Sequence, residues 1–510
     1  MKQYYLGIEF GSTRVKAVLI DGEHRIVKSG DYTWKSSLEN GVWTYHMEDV
    51  QTGLRTAIRN LGELPGAVSA MGISGMMHGY LAFDKDWNLL APFRTWQNTM
   101  TGEAAEQLTA EFGFNIPQRW SIAHLYQAIL NGEAHVKNIA HITTLAGYVH
   151  YLLTGENVLG VGEASGMFPI DSEALDYDAA MLEKFDALIA KYGFAWTARS
   201  VLPKVLTAGQ AAGALTQAGS TFLDGLLSAG IPFCPPEGDA GTGMTATNAV
   251  APRTGNVSAG TSIFAMVVLE KPLSKVYQEI DMVTTPSGKP VAMVHSNNCT
   301  NDMNAWVSLL GETAKLFGAE VSTGELFTKL YQKSLEGDAD CSGVLTYNYM
   351  AGEGITHLDE GRPMVVRKPE SSFTLANFLR SQLYATMSTL KLGMDILAEE
   401  HVAIDSLTGH GGLFKTPVVG QKYMAAACRA SVTCMESAGE GGPYGMALLA
   451  SYLVQKQDGQ TLEQYLETEI FADVKRTTLA PDPEDEAGFD RYLSWYRSAL
   501  AAENAAVKAF

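Results

Sequence analysis

Four short stretches of the 510-residue chain combine acids, glycines and hydroxyl residues in patterns that suit phosphate chemistry. The first is Gly7-Ile8-Glu9-Phe10-Gly11-Ser12-Thr13-Arg14-Val15-Lys16. An apolar, β-prone run delivers an acid to a tight turn of glycine and hydroxyl residues. Glycine removes the Cβ that would hold backbone N–H groups away from phosphate oxygens. Glu9 is placed to hold Mg²⁺, directly or through water, while Lys16 and Arg14 can balance phosphate charge. Taken alone, the stretch reads equally well as an ordinary hairpin. The second, Pro235-Pro236-Glu237-Gly238-Asp239-Ala240-Gly241-Thr242-Gly243, repeats the acid-x-Gly-hydroxyl pattern about 230 residues later. Two such turns fit a duplicated architecture with one domain on each side of a nucleotide cleft. By itself Asp239 also reads as a turn residue or a helix N-cap. The third, Gly255-Asn256-Val257-Ser258-Ala259-Gly260-Thr261-Ser262, is a hydroxyl-and-glycine turn before an apolar strand. The fourth, Gly409-His410-Gly411-Gly412-Leu413, is a diglycine turn able to lie flat against a base or ribose.

The elements needed to present these turns alternate between strand and helix, which argues an α/β fold. Strands are expected at Tyr4–Phe10 and Val15–Ile20, with a short third at Arg25–Lys28 after the Asp21-Gly22 hairpin signal. A helix follows over 47–61, with Val50, Leu54, Ile58 and Leu61 on one face, and a strand over 67–74 leads into Gly75-Met76-Met77-His78-Gly79. Residues 119–153 read as mostly helical. A glycine-rich region, Ile231–Gly260, contains the expected domain boundary, giving domains 1–248 and 249–510. Beyond it, Phe373–Glu400 carries apolar residues at spacings of three and four, so its methionines are core. A helix follows from about Thr416 to Ala430, and the acidic, then helical, tail from Pro481 reads as a surface-packed cap.

Composition narrows the partners. The net charge of −19 opposes binding to nucleic acid and to anionic membranes. Any phosphate must therefore be held by local backbone, a few cations and metal. Five cysteines without a CxxC pair read as reduced thiols of a cytoplasmic protein. No secretory signal or membrane span is legible.

In this order and spacing, the four stretches resemble the FGGY family of carbohydrate kinases. That resemblance runs over nearly the whole chain. Its most informative part is Ala70-Met71-Gly72-Ile73-Ser74-Gly75-Met76-Met77-His78-Gly79, followed by Asp84 and Thr95-Trp96-Gln97-Asn98, which is similar to the xylulokinase group. The segment Gly411-Gly412-Leu413 to Lys415-Thr416-Pro417 is closer to ribulokinases, and Gly442-Pro443-Tyr444-Gly445-Met446-Ala447 is similar to the family's closing helix start. The resemblance implies a two-domain actin/hexokinase/Hsp70-like ATPase fold, ribonuclease H-like and duplicated, with a nucleotide cleft between the domains. It also implies residue roles. Asp239 is the general base. Met77, His78, Trp96, Asn98 and Asp239 meet the sugar. Gly11, Ser12, Thr13, Lys16, Gly260, Thr261, Gly411 and Gly412 meet ATP, and Glu9 with Asp239 meets Mg²⁺.

Three positions depart from the family pattern. Glu9 replaces an aspartate, Asn98 replaces the aspartate of W-x-D, and Met76 replaces a glutamine. The expected activity is ATP-dependent phosphorylation of a ketopentose, xylulose first, with ribulose or another small sugar or polyol as the alternative. A catalytically weak sugar or nucleotide sensor is the competing class. The expected partners are a small sugar and MgATP, with a homodimer left open, and neither nucleic acid nor membrane.

Overall fold

The computed structural model describes residues 2–435 and 441–509. The chain forms two compact units, one of Met1–Pro252, Glu270–Val291 and Glu440–Val474, the other of Arg253–Leu269, Ala292–Gly439 and Lys475–Phe510.

The first unit is built on a five-stranded mixed sheet. Tyr4–Phe10 pairs antiparallel with Arg14–Asp21, which pairs antiparallel with Ile26–Thr33. On its other side Tyr4–Phe10 runs parallel to Val68–Gly75, and Val68–Gly75 runs parallel to Glu237–Gly238. The third strand is longer than its short β-prone run suggests, because its pairing with Arg14–Asp21 continues past Lys28 to Thr33. Helix Met47–Arg59 covers one face with Val50, Leu54, Ala57 and Ile58 buried. Helix Gly441–Gln455 covers the other. It lies so close that a Cβ at Gly7 would stand 2.0 Å from the Pro443 carbonyl oxygen. Only glycine in the strand permits that approach.

The 119–153 segment forms two helices, Ser121–Leu130 and Leu145–Thr154. Between them His141–Thr143 is a strand, captured by antiparallel pairing with Leu81–Phe83.

In the second unit Thr254–Ala259 pairs antiparallel with Ile263–Val268 and parallel with Ser406–Gly411. Ser406–Gly411 runs parallel to Ser431–Met435, which pairs antiparallel with Arg476–Leu479. The 25-residue helix Leu375–Glu399 buries Leu379, Leu383, Met387, Leu390, Met394 and Leu397 as one stripe.

Two expectations are corrected here. Gly409, His410 and Gly411 are strand residues and not a turn, since parallel pairing with Val257, Ser258 and Ala259 holds them extended. The tail helix Pro483–Ala509 is no surface cap. Phe489, Tyr492 and Tyr496 are each 0% exposed, so its apolar stripe completes the core. Among the described residues no helix is long and apolar enough to cross a membrane.

Candidate active site

Three parallel strands of the first unit end side by side, and each ends in a residue of interest. The register aligns Glu9 with Ser74 and Ser74 with Glu237. Past those ends lie Gly11–Thr13, Met76–Gly79 and Asp239. The carboxyl edge of a parallel sheet is where α/β folds place their ligands.

The Gly11–Thr13 turn is fixed from behind. Trp34 Nε1 donates to the Gly11 carbonyl at 2.7 Å, the Tyr45 hydroxyl to the Ser12 carbonyl at 2.7 Å, and Trp34 N to the Thr13 carbonyl at 3.1 Å. With those carbonyls engaged, Ser12 and Thr13 lie exposed. Lys16 stands opposite Glu9 in the antiparallel pair.

Glu9 is half-buried. Burial, reinforced by the charge of Asp239 and opposed by Lys16, pushes its carboxyl up to about 8. Its extra methylene relative to aspartate is accommodated by the absence of a side chain at Gly442, where a Cβ would fall 1.4 Å from Glu9 Oε2. Thr242 closes this corner, its hydroxyl 3.1 Å from the Ser74 hydroxyl.

Asp239 is exposed and opens the helix Asp239–Ala246. Its Oδ1 accepts hydrogen bonds from Met77 N at 3.3 Å and Ala240 N at 3.0 Å. Surrounding protein raises its pKa by desolvation, and these backbone donors pull the other way. The Met77 bond ties the base candidate to the sugar segment directly.

His78 is buried and holds a left-handed backbone, φ 71°. Its Nδ1 lies 3.0 Å from the Gly166 carbonyl oxygen, an acceptor only, so Nδ1 carries the proton and Nε2 is left as an acceptor. Desolvation first, then the charge of Arg119, drops its pKa to about 3 and keeps the ring neutral. Trp120 is stacked against it, centroids 6.2 Å apart.

The W-x-D positions divide. Trp96 is 41% exposed, available as an apolar face. Asn98 is 3% exposed, accepts from Trp43 N at 2.9 Å, and donates to the Trp43 carbonyl at 2.8 Å and the Thr95 carbonyl at 3.0 Å. Its amide clips two backbone segments together.

Gly260, Thr261, Gly411 and Gly412 belong to the second unit, where the register sets Ala259 beside Gly411. Thus the third and fourth motifs, about 150 residues apart in sequence, form one edge. Gly411 has φ 96°, and a Cβ there would strike the Ala259 carbonyl oxygen at 2.4 Å. The Gly260 carbonyl accepts from Thr300 Oγ1 at 2.8 Å, and the Thr261 carbonyl from Cys299 N at 3.0 Å. Sequence reasoning missed Glu163 and Thr242. Thr242 was present within the second motif, whereas Glu163 has no local signal.

The comparisons bear on the whole chain. Residues 4–245 match the N-terminal domain of the FGGY family of carbohydrate kinases, and residues 255–454 match its C-terminal domain. A xylulose kinase of Haemophilus influenzae is 22% identical over 513 residues, covering 96% of this chain and 99% of its own. The fold is shared with a xylulose kinase from Lactobacillus acidophilus, TM-score 0.81 at 17% identity, covering 98% of this chain and 99% of that one. A gluconate kinase from the same organism superposes with TM-score 0.80 at 17% identity, covering 98% of each chain. With both domain models matched over most of its length, and with acid and glycine turns at the strand ends, the chain belongs to the FGGY family of carbohydrate kinases, and it is a phosphotransferase of the actin/hexokinase-like ATPase class.

Proposed function

We propose that this kinase transfers the γ-phosphoryl group of ATP to a hydroxyl of a ketopentose, xylulose first, with Asp239 as general base. The observation that carries the reading is the Asp239 carboxylate, solvent-reachable yet pinned through Oδ1 by Met77 N beside the neutral His78. Pinning one oxygen aims the other at a sugar hydroxyl, and general-base help of this kind contributes roughly 10²–10⁴-fold. His78, with Nε2 as acceptor, takes a hydrogen bond from a second hydroxyl. A sugar lacking that hydroxyl leaves a buried acceptor unpaired, a larger penalty than a misfit methylene. Trp96 supplies an apolar face for carbon-bound hydrogens.

ATP phosphates are assigned to the exposed Ser12 and Thr13, with Lys16 beside them, and to the backbone around Gly260, Thr261, Gly411 and Gly412. Phosphoryl transfer needs positioning and charge neutralisation more than covalent help. The donor set fits Mg²⁺: Glu9 and Asp239 are oxygen ligands whose charges already repel each other, and this ion takes one or two carboxylates plus phosphate. When bound, Mg²⁺ supplies neutralisation of phosphate charge. Glu9 contributes its carboxylate across the space left by Gly442, and Asp239 is left to accept the proton.

The test is ADP release by the full chain with xylulose, ribulose, gluconate, glycerol, aldopentoses and no sugar. The expected result is turnover that depends on a ketopentose and is highest with xylulose. Preference for gluconate or glycerol would overturn the sugar assignment while leaving the kinase in place. Sugar binding without turnover under any metal condition would sink catalysis.

A further inference from the structure

Two carboxyl groups outside the proposed machinery lie beneath the Asp239 turn. Glu163 and Glu237 are 0% and 1% exposed. Neither carboxyl oxygen of Glu163 makes a well-formed hydrogen bond; the Thr144 hydroxyl is a side-chain donor near enough to ease its burial. Glu237 Oε2 accepts from Glu163 N at 2.9 Å. The backbone is hollowed around both groups. A Cβ at Gly160 would stand 2.1 Å from Glu237 Oε1, and one at Gly162 2.4 Å from Glu237 Oε2. A Cβ at Gly238 would stand 2.2 Å from Met77 Cγ and 2.4 Å from Glu163 Oε2.

Glu163 Oε2 and Met77 Cγ therefore both close on the Gly238 backbone, one residue before Asp239. The same helical turn orients His78. Gly166 N donates to the Glu163 carbonyl at 3.1 Å, and the Gly166 carbonyl fixes the His78 proton. A Cβ at Gly166 would collide with His78 Nδ1 at 2.7 Å and Met77 Cε at 2.9 Å. A buried acid so thinly partnered costs stability that an apolar side chain of equal volume would not, and such groups cluster at functional sites.

We propose that Glu163 is a positioning residue: its carboxyl packs, together with Met77, against the Gly238 backbone and sets Asp239, Met77 and His78 as one rigid wall of the sugar pocket. The proposal rests on the reading of Asp239 as the base. Burial, opposed by the Thr144 hydroxyl and reinforced by the charges of Asp239 and Glu237, raises the Glu163 carboxyl well above its ordinary range, which favours the neutral acid. Its shape, not a charge, then performs the positioning, and glutamine reproduces that shape.

Steady-state kinetics of the full chain test this. Glu163→Gln should keep kcat within about fivefold of wild type. Glu163→Ala should lower kcat by about 10–100-fold, the scale of a misplacement near 1 Å, and raise the sugar KM while leaving the ATP KM within about twofold. Should Glu163→Ala fold poorly, Gly238→Ala gives the same pattern by pushing Met77 and Glu163 aside, and adding Glu163→Ala to it recovers part of the lost turnover. A Glu163→Ala enzyme with near-normal kcat overturns the proposal, as does glutamine proving as damaging as alanine. Sugar and ATP KM rising together would mean general loosening and also overturn it. An Asp239→Asn control separates the two layers. Normal turnover there sinks the base assignment and this inference together, whereas an inactive control beside a normal Glu163→Ala sinks the inference alone.

Discussion

In one unit the strand Tyr4–Phe10 has an antiparallel neighbour, Arg14–Asp21, and a parallel one, Val68–Gly75. In the other, Thr254–Ala259 has an antiparallel neighbour, Ile263–Val268, and a parallel one, Ser406–Gly411. The strand plan is the same and the strand ends are not. The first unit ends its strands in Glu9, Glu237 and Asp239. The second ends them in Gly260, Thr261, Gly411 and Gly412. Carboxylates can move protons and hold a cation, while bare backbone and hydroxyls can only surround phosphate. The difference teaches that pairing is fixed by apolar alternation and turn geometry, and that chemistry is set by a few residues just past the last pair.

The two units also hold a buried acid differently. In the first, neither carboxyl oxygen of Glu163 makes a well-formed hydrogen bond and burial favours its neutral form. In the second, Asp485, 4% exposed, accepts from Arg380 at 2.5 Å, and Arg380 also donates to the Tyr384 hydroxyl at 2.7 Å. A paired charge belongs to a fold being held together. A buried acid kept without a cation marks a place where stability has yielded to another requirement.

The largest expected effect breaks the contrast at the strand ends. Asp239→Asn should lower kcat by about 10²–10⁴-fold with sugar binding kept, measured by ADP release and calorimetric titration of sugar. Thr261→Ala, its counterpart in the other unit, should raise the ATP KM by less than about tenfold, the worth of one hydrogen bond. Equal losses in the two variants would erase the distinction.

Arg380→Ala should come next, destabilising the fold by about 3 kcal/mol, because it leaves the buried Asp485 with Lys422 as its one remaining cation, 2.5 Å from Oδ2. The check is the urea midpoint, with kcat per folded molecule unchanged. A loss near zero would mean that Lys422 alone suffices to neutralise Asp485.

Titration gives a smaller effect and sharpens the second contrast. Burial pushes Glu237 up to about 8, so the native state holds a proton that the unfolded chain loses near its ordinary 4.5. Its stabilisation is complete below that ordinary value and is lost as pH rises to about 8. Burial acts oppositely on His78 and His124, lowered to about 3, and on His150, lowered to about 4, which cost stability as pH falls below 6.5. Between 4.5 and 6.5 the two trends oppose each other, and above 6.5 the acids act alone. In the other unit Asp302 is pushed to about 6 and has largely finished its change by then. Glu237→Gln should therefore gain on wild type by up to about 1.4 kcal/mol per pH unit between pH 6.5 and 8, read from urea midpoints. A difference constant with pH would show that Glu237 is charged in the fold throughout.

The smallest effect concerns an exposed pair of the first unit. Arg199 bridges both oxygens of Asp176 at 2.8 and 2.9 Å, with the two side chains 46% and 40% exposed. Arg199→Ala should cost less than about 1 kcal/mol and fade in high salt. A loss rivalling that of Arg380→Ala would remove burial as the explanation of the contrast.

Much of this was legible in the chain itself. Alternation and turn residues determined Tyr4–Phe10, Ile263–Val268 and Leu375–Glu399 nearly to the residue, since these features act over a few positions. The acid-and-glycine motifs pointed to Glu9, Asp239 and the Met77-His78 segment for the same reason: each motif is contiguous. What only the tertiary structure decided involves residues far apart in sequence. Glu163 meets Gly238 through space, Gly442 accommodates the longer Glu9, and Asn98 turns its amide to the Trp43 backbone. The tail helix enters the core because Tyr492 and Tyr496 find partners there that no local pattern announces. Local propensity and spacing are written in order along the chain. Packing contacts are chosen only when distant segments compete for the same volume.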